Sequence, residues 1–290
     1  MTGPARTDRR ARCPGPTYPG AVNDNSLRAA LPDDGILVLT GAGVSTDSGI
    51  PDYRGPGSVP RNPMTFQQLV ASEDAHRHYW ARAHLGWATM RRAEPNATHQ
   101  TLAAWEREGR LTGLITQNID GLHERAGHRE VVDLHGRVDR VMCLDCGERS
   151  ARAVLERRLA ELNPGWTEQT VAYAPDGDAV LEHTESFRVA PCLRCGGRLK
   201  PDVVFFGESV AKPIVEHCFA MTERARALLV LGSSLHVMSG LRFVRRAAKI
   251  GTPVVIVNRG TTRGDDLATL KIDAGCAETL TGVDAGRVPA

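Results

Sequence analysis

The chain has 290 residues, room for one large domain or two smaller ones. Hydrophobic residues make up 41% of it, which supports a substantial core and excludes disorder of the whole chain. Lys and Arg number 36 against 34 acidic residues, a net charge of +2, so electrostatics make no case for nucleic acid as a partner. No apolar run approaches the ~20 residues of a membrane span.

Residues 1 to 24 carry Arg6, Arg9, Arg10 and Arg12 with Asp8 and four prolines, and read as a disordered tail. A processed leader is the second reading, although the prolines spoil an amphipathic helix. Ser26 to Leu31 is a short helical piece. Ile36 to Leu39 is an apolar run of the kind that forms a buried parallel strand. It ends in Thr40-Gly41-Ala42-Gly43, where small residues let backbone approach a ligand. Ser45 or Thr46 then opens a helix whose amides point at an anion, and strand, turn and helix start make the diphosphate half of a dinucleotide site. Gly49-Ile50-Pro51-Asp52-Tyr53-Arg54 sets a rigid proline, an acid, an aromatic ring and a cation beyond that cradle, a set that a purely structural turn does not need.

Gly55 to Pro63 is rich in Gly and Pro and reads as a mobile lid beside the site. Thr65 to Arg92 has helical spacing of Phe66, Leu69, Val70, Tyr79, Trp80, Leu85, Trp87 and Met90, an aromatic stripe best read as core. Pro95 to His99 caps a helix that runs through Glu108 and ends at Gly109. Leu114 to Thr116 is a second buried strand. It feeds Gln117-Asn118-Ile119-Asp120-Gly121-Leu122-His123, and polar groups at the carboxyl end of a parallel strand are where open α/β sheets place ligands. Val131 to Leu134 is another strand, followed by His135-Gly136. Val203 to Phe206, Leu228 to Leu231 and Val254 to Val257 complete the strands, with a helix over Leu241 to Ile250. The alternation predicts an α/β fold, a Rossmann-like doubly wound parallel sheet.

Four of the seven cysteines stand as Cys143-x-x-Cys146 and Cys192-x-x-Cys195, with about 45 residues between the pairs; Cys13, Cys218 and Cys276 stand alone. Two such knuckles predict one structural Zn2+. Four thiolates fill a tetrahedral shell, leave no position for a reacting water, and fold a small module. Asp145 and Glu148 flank the first knuckle and weaken a nucleic-acid reading of it. The insert between the knuckles carries turns at Asn163 to Trp166 and Ala174 to Asp178.

The stretch Gly41 to Arg54 resembles the signature of the sirtuins, the NAD-dependent protein deacylases: Gly-Ala-Gly-x-Ser-x-x-Ser-Gly-Ile-Pro-Asp-Phe-Arg, with Tyr53 here in place of Phe. The resemblance runs from about Leu27 to about Leu280. It implies an NAD-binding domain over 25–135 and 200–290 with a helical insert at about 60–98, a zinc-binding module over 136–199, and a cleft between them. It implies that NAD is a co-substrate, that acyl-lysine proteins or peptides are the partners, and that nicotinamide, free lysine and O-acyl-ADP-ribose are released.

Leu134-His135-Gly136 before the first knuckle is similar to the arrangement in which this histidine is the general base, exposed at the edge of the sheet. Asn118 and Asp120 match residues that act at the nicotinamide end with Ile50 and Asp52, and Gln117 lies over the ribose. Gly41, Ala42, Gly43, Ser45, Tyr53 and Arg54 match the cofactor loop. Gly232-Ser233-Ser234 matches the usual Gly-Thr-Ser, with Ser233 a departure. Asn258 matches the adenosine-ribose position, and Cys276 a position beside adenine with an inert thiol. Val204-Phe205-Phe206-Gly207-Glu208 and His236-Val237-Met238-Ser239-Gly240 match the two segments between which an acyl-lysine peptide adds as a strand.

Tyr79-Trp80-Ala81-Arg82, Ala174 to Asp178 and Lys200 to Glu208 look closest to the class II, sirtuin-4-like branch. Tyr79 and Arg82 share a helix face. They match a pair that lines the acyl pocket where acidic acyl groups are removed, so carboxylated or longer acyl groups are expected to outcompete acetyl; a packed ring beside a solvated cation is the alternative. Within enzymes the rival activity is mono-ADP-ribosyl transfer to protein. Outside them it is a non-catalytic NAD-sensing or zinc interaction module. The expectation is a monomer in the cytoplasm, or in the mitochondrial matrix if the chain is eukaryotic and its tail a leader.

Overall fold

The computed structural model describes residues 24–52, 63–166, 181 and 183–285. The tail to residue 23, Tyr53 and Arg54, the expected lid and the Ala174 to Asp178 turn fall outside that set, apart from Pro63 at the lid's end.

Six parallel strands form the main sheet: β1 (Ile36–Thr40), β2 (Leu111–Thr116), β3 (Val131–Asp133), β7 (Ala227–Leu231), β8 (Val254–Val257) and β9 (Leu270–Ile272), in the order β3-β2-β1-β7-β8-β9. Their near-continuous Val, Ile and Leu runs are what burial on both faces demands. Alternate residues divide between two cores. Ile36, Val38, Leu229, Leu231, Val255 and Val257 face one; Leu37, Leu39, Leu228, Val230, Val254 and Ile256 face the other. The first is closed by Leu27 of α1 (Asp24–Ala30), Leu102 and Trp105 of α4 (Ala97–Arg107) and Leu280 of α9 (Cys276–Ala285). The second is closed by Met221 of α7 (Lys212–Arg224) and by Leu241, Val244 and Ala247 of α8 (Met238–Lys249), a stripe at helical spacing. Each fully buried aliphatic contributes about 1.5–3 kcal/mol. The sheet is therefore doubly wound, with strand order reversing between β1 and β7, the place where such sheets open a crevice.

A second, three-stranded antiparallel sheet, β5-β4-β6, is made of β4 (Gly136–Cys143), β5 (Arg149–Ala151) and β6 (Leu199–Val203). It belongs to the cysteine module, and β6 runs past the boundary expected at residue 199. The module also contains α6 (Arg152–Leu162). Val141, Cys143, Leu155 and Leu159 share one core with Leu69 of α2 (Phe66–Ala71) and with Tyr79 and Trp80 of α3 (Glu73–Arg92). Helical insert and cysteine module thus bury one apolar surface between them. Buried polar groups fasten the joint: His84 Nδ1 meets Glu156 Oε2 at 2.5 Å, Arg152 pairs with the same carboxylate, and Arg152 Nη2 donates to Ala83 O at 3.0 Å.

Four expectations are corrected. Residues 65–92 form two helices, because Ser72 adopts an extended backbone and its hydroxyl caps α3 by accepting from Ala75 N–H. The helix expected to open at Ser45 or Thr46 is a single 3-10 turn, Thr46–Ser48 with Ser45 at its N-cap, which follows the 3-10 turn Ala42–Val44 and is ended by Gly49 in the left-handed region (φ 83°). Val203 to Phe206 is no strand of the parallel sheet. Val203 ends antiparallel β6, Val204 N–H donates to His135 O, Phe205 N–H donates to the Glu208 carboxylate, and Phe206 makes one isolated bridge to Thr65. His135 is half-buried rather than exposed, because its ring lies between β2 and α8.

Candidate functional site

The crevice between the carboxyl ends of β1 and β7 widens into a cleft of about 1090 Å³. Its floor is two turns pressed together. Gly41 N–H donates to Leu231 O at 3.0 Å and Gly43 N–H to Gly232 O at 2.8 Å. Glycine is required on both sides: a Cβ on Gly43 would meet Gly232 O at 2.9 Å, and Gly232 has φ 58° with Val44 N 2.4 Å from where its Cβ would stand. The two turns are therefore packed backbone to backbone, and Gly41, Gly43 and Gly232 line the cleft. Asn96 holds the loop from behind. It caps α4 by accepting from Thr98 N–H and donates Nδ2 to Val44 O at 2.8 Å and Ser48 Oγ at 3.0 Å.

The residues after β2 are locked into the same floor. Asn118 Nδ2 donates to Gly41 O and Ser45 Oγ, each at 3.1 Å; Ser45 Oγ donates to Asp120 Oδ2 at 2.7 Å, and Asp120 Oδ1 accepts Leu122 N–H at 2.9 Å. Burial raises the Asp120 pKa, opposed by those two hydrogen bonds and by the charges of Arg137 and Arg125. Gln117 Nε2 donates to Ser233 Oγ at 2.9 Å and to Thr40 O at 3.2 Å, so Ser233 serves as an acceptor that ties β7 to β2.

His135 ends the β3 segment and precedes β4. Its Nδ1 lies 2.8 Å from Gln117 O, an oxygen that only accepts, so Nδ1 carries the proton and Nε2 the lone pair. Ser239 Oγ, 2.7 Å from Nε2, is then the donor. Burial lowers the imidazole pKa; the Gln117 hydrogen bond opposes this, and the Arg242 guanidinium adds to the lowering. The ring is thus a neutral base at neutral pH.

Of the expected cofactor and substrate residues, Gly41, Ala42, Gly43, Ser45, Ile50, Asp52, Gln117, Asn118, Asp120, Gly232, Ser233, Ser234, Asn258 and Cys276 all line this cleft, as do Val204, Phe205, Phe206, Gly207, Val237 and Met238. Cys276 is buried and its thiol pushed up to about 12, which agrees with an inert sulfur. Tyr79 and Arg82 are not among the described lining residues. Tyr79 is buried edge-on against Phe205 and Trp80, its ring centroid 5.4 Å from each of theirs, and Phe205 itself lines the cleft. Sequence reasoning missed Met90, Arg242 and the part played by Ser239, which line the cleft. Ser239 lay in a stretch already singled out, but nothing local links it to a histidine 104 residues away.

The Sγ atoms of Cys143, Cys146, Cys192 and Cys195 all lie within 4.8 Å of one another, with Cys143 to Cys195 at 3.5 Å and Cys146 to Cys192 at 3.8 Å. A tetrahedral shell with Zn–S bonds of ~2.3 Å has edges of ~3.8 Å, so the donor set fits one structural zinc. Among the described residues it is the one such group of metal-binding side chains. No described helix is long and apolar enough to cross a membrane.

Comparison with known proteins agrees with this geometry. Residues 41–239 match the model of the Sir2 family. The chain is 54% identical over 266 residues to "NAD-dependent protein deacetylase 1" of Mycobacterium avium, covering 90% of this chain and 94% of that one. It is 47% identical over 256 residues to "NAD-dependent protein lipoamidase sirtuin-4, mitochondrial" of Bos taurus, covering 86% and 81%. Among solved structures it resembles one described as "Sir2-p53 peptide-NAD+", with TM-score 0.71 at 33% identity, covering 86% of this chain and 92% of that one. The glycine cradle, the residues after β2, the histidine before β4 and the four-cysteine module all fall within or against the matched span, and the chain belongs to the Sir2 family.

Proposed function

We propose that this protein is an NAD-dependent protein lysine deacylase, which consumes NAD and an acyl-lysine and releases nicotinamide, free lysine and O-acyl-ADP-ribose. The observation that carries the reading is His135: a buried-side Nδ1–H fixed on Gln117 O and an Nε2 lone pair in a cleft shared with the glycine cradle. NAD supplies an anomeric carbon whose bond to nicotinamide breaks. Gly41, Ala42, Gly43, Ser234 and the Gly232 turn hold its diphosphate; Gln117, Ser233 and Asn258 take the riboses; the backbone at Cys276 lies by adenine. Ile50, Asp52, Asn118 and Asp120 hold the nicotinamide end, where their fixed dipoles favour its departure. His135 is the general base for the attacking hydroxyl, and its Nε2 is the atom that gains a proton.

Val204 to Gly207 and Val237 to Met238 form the walls between which an acyl-lysine peptide lies. The zinc held by Cys143, Cys146, Cys192 and Cys195 is structural. An NAD-binding domain over 25–135 and 200–290, with the module over 136–199, remains the division that the reading uses. A monomer in the cytoplasm, or in the mitochondrial matrix for a eukaryotic source, completes it.

The test is one mass spectrum after incubation with NAD and a panel of acyl-lysine peptides. O-acyl-ADP-ribose with free lysine is the expected product. ADP-ribosylated protein as the main product would replace the reading with its rival.

A further inference from the structure

Ser239 lies in the first turn of α8, buried and lining the cleft, with its hydroxyl 2.7 Å from His135 Nε2. The carbonyl on the other ring nitrogen decides the direction of that bond: Nδ1 holds the proton, so Ser239 gives its own to Nε2. The base's lone pair is therefore already engaged in the resting protein. Among the described residues no other hydrogen bond engages Ser239 Oγ, and the residue lines the cleft. The placement is built rather than incidental. Gly240, the next residue, packs so tightly on Gln117 that a Cβ there would meet Oε1 at 2.5 Å, and Gln117 is the residue that fixes the histidine tautomer. Two contacts on Gln117, one at its side chain and one at its carbonyl, thus relate the helix start to the imidazole.

We propose that Ser239 is a catalytic proton relay, a role that rests on the reading of His135 as the base. The attacking hydroxyl gives its proton to Ser239 Oγ as Ser239 gives its own proton to His135 Nε2. The substrate oxygen keeps the electron pair of its broken O–H bond for the attack, Ser239 ends as a neutral hydroxyl, and His135 ends as an imidazolium. Two O–H protons are in flight in one step. The competing arrangement has the substrate hydroxyl displace Ser239 and reach Nε2 directly, with one proton in flight.

The experiment compares wild type, Ser239→Ala, Ser239→Thr and His135→Ala. In the NAD-free protein, nitrogen NMR of His135 is expected to show Nδ1–H in wild type and Ser239→Ala alike, with the Nε2 signal moved in Ser239→Ala by loss of its donor. With NAD and an acetyl-lysine peptide, Ser239→Ala is expected to lose about 10–100-fold in kcat, part of the 10²–10⁴ that general acid–base catalysis supplies. NAD affinity, measured on the same variants, separates this loss of turnover from a loss of binding, and Ser239→Thr recovers most of the loss. In mixtures of H2O and D2O, the wild-type rate is expected to follow a curved two-proton dependence and Ser239→Ala a straight line. Wild-type kcat in Ser239→Ala, a straight line in wild type, or a loss of turnover matched by loss of NAD binding would overturn the relay and leave His135 as the base. Turnover surviving in His135→Ala would overturn the base and the relay together.

Discussion

Ser45 Oγ donates to Asp120 Oδ2 at 2.7 Å across 75 residues of sequence, and the same oxygen accepts Asn118 Nδ2 at 3.1 Å. One hydroxyl joins the loop after β1 to the loop after β2. Ser45→Ala leaves a partly buried carboxylate and amide each short of a partner, a loss of ~1–3 kcal/mol. The expected result is a lower melting temperature and a higher KM for NAD, with a smaller rise in KM for the acylated peptide; steady-state kinetics with each substrate varied checks the asymmetry.

His135→Ala is expected to remove deacylation by a factor of ~10² or more while calorimetry still detects NAD binding. The pH dependence has a definite sign. The base works when neutral, and burial with Arg242 nearby lowers its pKa, so the acidic limb of activity lies at lower pH than for an ordinary imidazole. Arg242→Met removes one cause of the lowering, so the acidic limb of kcat/KM moves to higher pH.

One zinc per chain is expected by elemental analysis. Chelation or Cys192→Ser removes metal binding worth ~10 kcal/mol or more of folding free energy. The loss of structure begins in the module and reaches α2 and α3, which share its core. A metal-free protein with wild-type circular dichroism and full activity would show that the thiols do not carry the fold.

Acid stability depends on three buried imidazoles in contact, His99, His123 and His128, with ring centroids 4.7 and 5.4 Å apart along the row. Burial lowers all three pKa values, His99 to about 4. The unfolded chain takes up protons near 6.5 that the folded chain refuses, so their contribution is full above pH 6.5 and is lost as pH falls towards about 4. Melting temperatures from pH 7.5 to 4.5 are expected to fall, and His99→Gln, which cannot take up that proton, flattens the slope.

Acyl preference is the finest of the expectations, and it turns on Tyr79 and Arg82. Tyr79 packs on Phe205 and Arg82 is not among the described lining residues, so Arg82→Met is expected to shift the succinyl-to-acetyl ratio of kcat/KM by less than about tenfold, ~1.4 kcal/mol. Phe205→Ala opens the wall itself and is expected to change the ratio more. A larger effect at Arg82 would put its guanidinium on the acyl group.

The parallel strands were legible because both of their faces are buried, and runs such as Ile36 to Leu39 and Leu228 to Leu231 have no polar interruption. The cysteine spacing named the metal set because ligand pairs sit on local turns. What escaped was set by distant partners. β4 and β5 carry too many charged residues to read as strands, and they pair because the module closes around its thiols. Val203 to Phe206 has the composition of a strand, yet its amides are taken by His135 O and Glu208. The helix at Ser45 or Thr46 stays a single 3-10 turn because Gly49 turns the chain. The Asn118, Asp120 and His135 constellation was found by its resemblance, and its hydrogen-bond directions needed the fold.

A single strand, β4, starts beside His135 and ends at Cys143. The chemistry in the cleft and the sulfur shell are therefore two ends of one strut, and β6, paired along it, leads directly into the Val204 to Phe206 wall. Oxidants that convert the thiolates to disulfides or sulfenates expel the metal and slacken that strut from its far end. Among the described residues that line the cleft the one thiol is the inert Cys276, yet the enzyme is expected to go silent under thiol stress and to recover with reductant and zinc.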